Sequence, residues 1–304
     1  MRSWKSLVGK CKAVLAIVQN TPERLDEIRF NQGLILSRLN AAIVSPRLQD
    51  REFRVFSQWG EDGILDYLVN TVPIENKTFI EFGVEDFFES NCRFLMAKNN
   101  WCGFVIDGSG ANIERLKRSY FFWKHDLIAV EAFITRENIN ALLSRSGFHP
   151  DVGVLSIDLD GIDVYVLEAI QAFRPRILVC EYNAVFGPER KISVPYDAGF
   201  VRSRAHPSNL YAGASLAAID HVATQKGYRL VGTNSAGNNA FFVRADLLGP
   251  GLEHLSVTQA FTPSRFREAK GSDGDLRFLR GDERLAEIRG LPVFNVETGS
   301  MEAL

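Results

Sequence analysis

The chain has 304 residues, 46% hydrophobic and 24% charged, enough to bury a full core and to read as one main domain with appendages. Thirty-five Lys and Arg against 37 Asp and Glu leave a net charge of -2, so no global basic field marks it for nucleic acid. The four cysteines, Cys11, Cys92, Cys102 and Cys180, have neither metal-site nor disulfide-framework spacing, and reduced thiols in a cytoplasmic protein are expected.

At the start of the chain Trp4, Leu7, Val8, Cys11, Val14, Leu15 and Val18 share one helical stripe, and Arg2, Lys5, Lys10 and Lys12 are the only charges in the first twenty residues. Lys10 and Lys12 interrupt any apolar stretch, so neither a spanning helix nor a cleaved signal is expected. A basic amphipathic helix over residues 1–20 either docks on a partner or on its own domain, or lies peripherally on the inner face of an anionic membrane. Thr21-Pro22 should break it. A second helix, Glu23 to Ile43, carries Leu25, Ile28, Ile35, Leu36, Leu39 and Ile43 on one side. It either pairs with a copy of itself, making a homo-oligomer, or packs on the main domain, since Gln32 and Gly33 interrupt the heptads. Ser45-Pro46 ends the pattern.

From Phe79 short apolar runs alternate with helical ones, which predicts parallel strands joined by crossover helices. The strands are Phe79 to Gly83, Gly103 to Asp107, Lys124 to Val130, Gly153 to Asp158 and Arg176 to Tyr182. Helices are predicted over Asn91 to Asn99, Ala111 to Tyr120, Arg136 to Arg145, Asp163 to Phe173 and Ala212 to Lys226. Tyr228 to Gly232 and Asn239 to Arg244 flank a turn-rich segment and form an antiparallel hairpin at the sheet edge. The expected organisation is a helical extension over 1–50, an α/β domain over 51–248 and a charged tail or cover segment over 249–304.

Ligands of such sheets gather at the C-terminal ends of the strands, and acids cluster there. Glu81 and Gly83 end the first strand, Asp107 ends the second, Asp126 lies in the third, Asp158 and Asp160 end the fourth, and Glu181 with Asn183 ends the fifth. A pyrophosphate would be opposed by Glu81, Glu85, Asp86 and Glu89 crowding the first turn. They favour a sulfonium, an amino group and a ribose, all of which S-adenosylmethionine carries. Asp107 would accept the ribose hydroxyls, or else cap the following helix.

Five segments in order, Ser57-Gln58-Trp59-Gly60-Glu61-Asp62-Gly63, Phe79-Ile80-Glu81-Phe82-Gly83, Trp101-Cys102-Gly103-Phe104-Val105-Ile106-Asp107, Ser156-Ile157-Asp158-Leu159-Asp160-Gly161-Ile162-Asp163 and Gly227-Tyr228-Arg229-Leu230-Val231, resemble FkbM-type S-adenosylmethionine-dependent methyltransferases from about Phe56 to Leu247. The resemblance implies a Rossmann-like class I methyltransferase sheet, mostly parallel with an antiparallel edge pair. It also implies a methyl donor met at its methionine end by Gln58 and Glu61, and O-methylation of a sugar or secondary metabolite. The chain departs from the family in having Asp160 and Asp163 where glutamates are usual, and Glu85 and Asp86 where a second glycine is usual.

Asp158, Asp160, Glu181 and Asn183 offer hard oxygen ligands for Mg²⁺, although Asp163 and the Asp160-Gly161 turn also suit plain helix capping. For a base that removes the hydroxyl proton, His206 in the loop Arg202-Ser203-Arg204-Ala205-His206-Pro207 is the first candidate and Asp158 the rival. The expected activity is methyl transfer to a hydroxyl of a small-molecule or glycan acceptor, such as a lipid-linked sugar. Two alternatives stand beside it: a metal-dependent sugar-nucleotide glycosyltransferase using Asp158-x-Asp160, and a non-catalytic binding module on the same fold.

Overall fold

Residues 2–266 and 269–304 are described by a computed structural model, with the side chains of residues 2–9 and 11–20 outside that description. Two helices come first, α1 (Arg2–Asn40) and α2 (Glu61–Thr71). Strands and crossovers then alternate: β1 (Thr78–Phe82), α3 (Arg93–Asn99), β2 (Cys102–Asp107), α4 (Gly110–Lys117), β3 (Leu127–Glu131), α5 (Ile139–Ser144), β4 (Val154–Ile157), α6 (Asp163–Ala169) and β5 (Ile177–Glu181). After an excursion through β6 (Ile192–Ser193) and α7 (Arg202–Ala205), α8 (Leu216–Gln225) leads to β7 (Tyr228–Thr233) and β8 (Asn239–Arg244). The C-terminal part holds α9 (Val257–Ala260), α10 (Asp282–Ile288), β9 (Pro292–Asn295) and β10 (Ser300–Ala303).

The main sheet has the order β3-β2-β1-β4-β5-β8-β7. β1 to β5 pair in parallel, and β8 runs antiparallel between β5 and β7. This is the Rossmann-like sheet with a reversed edge pair that the sequence predicted, with β8 inserted and β7 at the edge. Successive residues of each strand point to opposite faces, so one strand feeds two cores. Ile80, Phe82, Phe104, Ile106, Leu155 and Ile157 pack with α5, α6 and α8, whereas Phe79, Val105, Val154 and Val179 pack with α2, α3 and α4. Burial on both faces is why the strands read as unbroken apolar runs.

The tail is tied into the fold. β9 and β10 form a hairpin whose β9 pairs with β6, and Phe186, Ile192, Val194, Leu210, Tyr211, Ile288 and Val293 make a small core beneath.

The N-terminal region departs from expectation. The helix passes through Pro22 without a break; proline's fixed φ is helical, and what it removes is one hydrogen bond. The face predicted to pack is also not the one that docks. Leu25, Ile28, Ile35, Leu36, Leu39 and Ile43 are exposed, and Asp26, Gly33, Ser37 and Asn40 are buried. Polar contacts select that face: Arg93 donates to Asp26 at 2.6 Å, Lys98 to Ser37 at 2.6 Å, and Asn40 to the Gly63 carbonyl at 2.9 Å. Gly33 lets the helix close on the core, since a Cβ there would stand 2.5 Å from Val55 and 2.8 Å from the Phe94 ring.

Candidate functional site

The strand order reverses between β1 and β4, since β2 and β3 extend to one side of β1 and β4 and β5 to the other. A crevice forms at such a point because the connections leave in opposite directions. Gly83 is its floor. It has φ +68°, and a Cβ there would fall well under 3.0 Å from the Asp158 carbonyl oxygen, so only glycine lets the two strand ends close up. Above it opens a cleft of about 620 Å³, lined from the ends of β1, β2, β3, β4 and β5 and from the start of β8. Its size suits a nucleoside-sized ligand. Glu85 on one side and Asp160 on the other hold left-handed backbone conformations, so the loops flanking the cleft are strained where they face it.

Glu81, Gly83, Asp107, Asp158, Asp160, Glu181 and Gln58 all line this cleft. Glu81 accepts from Ser90 Oγ at 2.7 Å and from the Asn91 and Cys92 N–H groups at 2.7 and 3.2 Å. Burial pushes its carboxyl up to about 7, against the lowering effect of those donors. Asp107 organises the second loop: Oδ2 accepts from Glu85 N–H at 2.8 Å, and Oδ1 from Ser109 N–H at 2.7 Å and Asn112 at 3.3 Å. One acceptor position on Oδ2 stays open to a ligand hydroxyl.

The end of β4 carries a different chemistry. Burial first, then the charges of Asp160 and Asp163, raise the Asp158 carboxyl well above its usual value. Glu181 is raised too, by burial and then by the charge of Asp158. Each therefore holds a proton more tightly than an isolated carboxyl would, by burial and by the other's charge.

Several expectations are corrected by position. The acids that lie together are Asp158, Asp163 and Glu181, without Asp160 or Asn183. Asp160 turns outward to Arg202 at 2.9 Å, and Asn183 is spent on Val185 N–H and on the Leu210 and Ala212 carbonyls. Asp163 in turn accepts from the Leu159 and Gly161 N–H groups at 2.8 and 3.1 Å, holding the β4 loop. Asp126 precedes β3, and its carbonyl accepts from Gly103 near the start of β2, a strand length from the cleft. A turn at Phe122–Lys124 delays that strand. Glu61 is fully buried behind the cleft, bonded to Trp59 N–H, Asn234 and Asn239. His206 lies outside the lining with Nδ1 2.8 Å from Ser208 Oγ. The acidic first loop is also less charged than its sequence suggests, because Asp86 pairs with Arg115 at 3.4 Å and Glu89 with Arg54 at 3.2 Å.

Other residues of the cleft gave no clear signal in the sequence. Phe133, Phe200 and Arg202 reach it, with Trp59 stacked on Phe266 at 5.5 Å between ring centroids. Asn238 reads as a turn residue and Asn239 as the first residue of a strand. They arrive because an antiparallel strand begins at the edge where its parallel neighbours end.

No family model matches the chain, and no curated protein matches it. Solved structures similar to it include one from Galdieria sulphuraria assigned, without confirmation, as a sarcosine dimethylglycine methyltransferase (12% identity, TM-score 0.36, covering 56% of this chain and 62% of that one). The N-terminal domain of EvdMO1, solved with SAH bound, shows 8% identity and TM-score 0.38 over 60% of this chain and 79% of its own. An O-methyltransferase family protein from Burkholderia thailandensis shows 10% identity and TM-score 0.37 over 60% of this chain and 57% of its own. The match thus spans less than two thirds of the Galdieria and Burkholderia chains. The Galdieria and Burkholderia proteins are methyltransferases by description.

Proposed function

We propose that the chain is an S-adenosylmethionine-dependent O-methyltransferase of the FkbM type, acting on a hydroxyl of a glycan, a lipid-linked sugar or a related metabolite. One observation carries this reading: Glu81, Asp107 and Asp158, from three strand ends, border a single cleft at the reversal point of the sheet. Such a wall favours a ligand with a cationic centre and ribose hydroxyls and opposes a diphosphate.

When bound, the donor supplies an electrophilic methyl carbon to the acceptor oxygen and departs as a neutral thioether. In this reading the open position on Asp107 Oδ2 takes a ribose hydroxyl, and Glu81 faces the amino end beneath Gln58. Asp158 takes the proton that the acceptor hydroxyl loses as its oxygen bonds the methyl carbon, with Glu181 beside it. Phe133, Phe200 and the Trp59–Phe266 stack hold the acceptor against the reaction line and exclude water. No step of this scheme is routed through a metal, and Asp163 is held by the Leu159 and Gly161 N–H groups. A sugar-nucleotide transferase fits less well, since the second acid of Asp158-x-Asp160 pairs with Arg202.

Calorimetric titration with S-adenosylhomocysteine and with a UDP-sugar tests the reading. Binding of the first, weakened at least tenfold by Asp107→Ala, is the expected result. Binding of only the UDP-sugar would replace it with sugar transfer, and binding of neither would leave a non-catalytic module.

A further inference from the structure

The part of α1 that lies on the domain turns a long apolar stripe away from it. Leu25, Ile28, Ile35 and Leu39 are 49%, 55%, 61% and 61% exposed, with Leu36 and Ile43 beside them. At roughly 100° per residue the stripe is about 100° wide and centred about 120° from the docked face of Asp26, Gly33, Ser37 and Asn40. The 3–4 spacing of positions 25, 28, 32, 35 and 39 continues upstream in the sequence through Val18, Val14, Cys11, Leu7 and Trp4. The exposed residues of this stripe, from Leu25 onward, are unexplained by the core or by the cleft.

Its flanks have one sign. Arg24 and Arg29 border the stripe on either side, Arg38 follows, and Lys10 precedes in the same register. Residues 1–47 hold eight Lys and Arg against three Asp and Glu, in a chain whose net charge is -2. Two of those acids are turned to the domain, Asp26 on Arg93 and Glu23 on Lys124 at 2.6 Å.

We propose that α1 is a membrane-surface anchor whose exposed stripe lies among the headgroups of an anionic bilayer, with the flanking arginines at the phosphates. Charge decides the occupant. In a parallel pair of copies Arg24 of one helix meets Arg29 of the other, and in an antiparallel pair Lys10, Arg24 and Arg38 face one another, so self-association sets like charges together. An anionic surface reverses that sign. The stripe is also wider than a two-helix seam, because Leu36 and Ile43 extend it to one side, and a flat bilayer covers such a width. Among the described residues no helix is long and apolar enough to cross a membrane, so the anchor is a surface one. The proposal is independent of methyl transfer.

The test is flotation of the full chain with phosphatidylcholine vesicles, with and without phosphatidylglycerol. Flotation only with phosphatidylglycerol, lost as salt is raised, is expected. A basic residue near an anionic surface is worth about fivefold in partitioning, so Arg24→Gln with Arg38→Gln should lower it roughly 25-fold. Ile28→Ser with Leu39→Ser should lower it at least tenfold, with unfolding temperature unchanged because neither side chain serves the core. No flotation, equal flotation on neutral vesicles, or flotation that survives the Ser pair overturns the proposal. A stable dimer in light scattering that the Ser pair dissolves overturns it in favour of self-pairing, and selective capture of an acidic helical peptide in place of vesicles overturns it in favour of a protein partner.

Discussion

Replacing Gly83 with alanine tests whether the cleft depends on the close approach of β1 and β4. The residue sits at φ +68°, where an L side chain costs about 1–2 kcal/mol. Its Cβ would also meet the Asp158 carbonyl oxygen at well under 3.0 Å, and a backbone oxygen cannot rotate aside. The strand ends must part by about 1 Å, which loosens the 3.0 Å bond from Gly83 N–H to the Ile106 carbonyl and the adjoining β1–β4 pairing, each such bond being worth about 1 kcal/mol net. The sum is roughly 3–4 kcal/mol, or a fall of roughly 6–15 °C in Tm for a chain of this size. Because the same movement displaces Asp158 relative to Glu81, affinity for S-adenosylhomocysteine should fall at least tenfold. Gly147 supplies the control. It has φ +67° with nothing within 4 Å of a built Cβ, so Gly147→Ala isolates the backbone cost of about 1–2 kcal/mol. Urea unfolding and calorimetry of both variants decide the matter: if Gly83→Ala loses no more stability than Gly147→Ala and binds ligand normally, the close approach is not the constraint.

Three further outcomes follow from the site and its support. Asp26→Asn leaves the Arg93 guanidinium buried without its counter-charge and should cost about 3–5 kcal/mol in urea unfolding; a loss below about 1 kcal/mol would mean that other contacts dock α1. Glu81 is held up to about 7 from 4.5 by burial, so its folded form binds a proton more tightly than its unfolded form between those values. Its contribution to stability is therefore full below about pH 4.5 and falls as pH rises to about 7, while binding of a ligand amino group strengthens over the same range. Glu81→Gln should flatten both profiles, and an unchanged slope would remove Glu81 from either role. Asp158→Asn should lower methyl transfer by about 10²–10⁴-fold, whereas His206→Ala leaves turnover unchanged. The reverse pattern would restore His206 as the base.

Much of the fold was legible because its signals are local. Runs such as Phe79-Ile80-Glu81-Phe82 are apolar since both faces of a central parallel strand are covered, and the acids that close them mark where the chain leaves the sheet. That was enough to put Glu81, Asp107, Asp158 and Glu181 on one edge. The periodicity of residues 25–43 gave a helix and left its apolar face to a second copy or to the domain; the domain takes another face, where a buried arginine 67 residues away draws Asp26 inward.

The same limit applies in the cleft. Glu61 was read beside Gln58 and Trp59 and is instead held by Asn239, 178 residues on, while Asn238 and Asn239 reach the cleft only because β8 runs against its neighbours. Sequence alone determined the alternation of strands and helices, the glycine at the first strand end and the acids that follow it, since each is written in a few adjacent residues. Tertiary structure alone decided which carboxyls lie together, which turn to arginine or to backbone, and which face of α1 is left open. Those outcomes depend on burial and on pairings between distant segments, and neither is encoded in a local window.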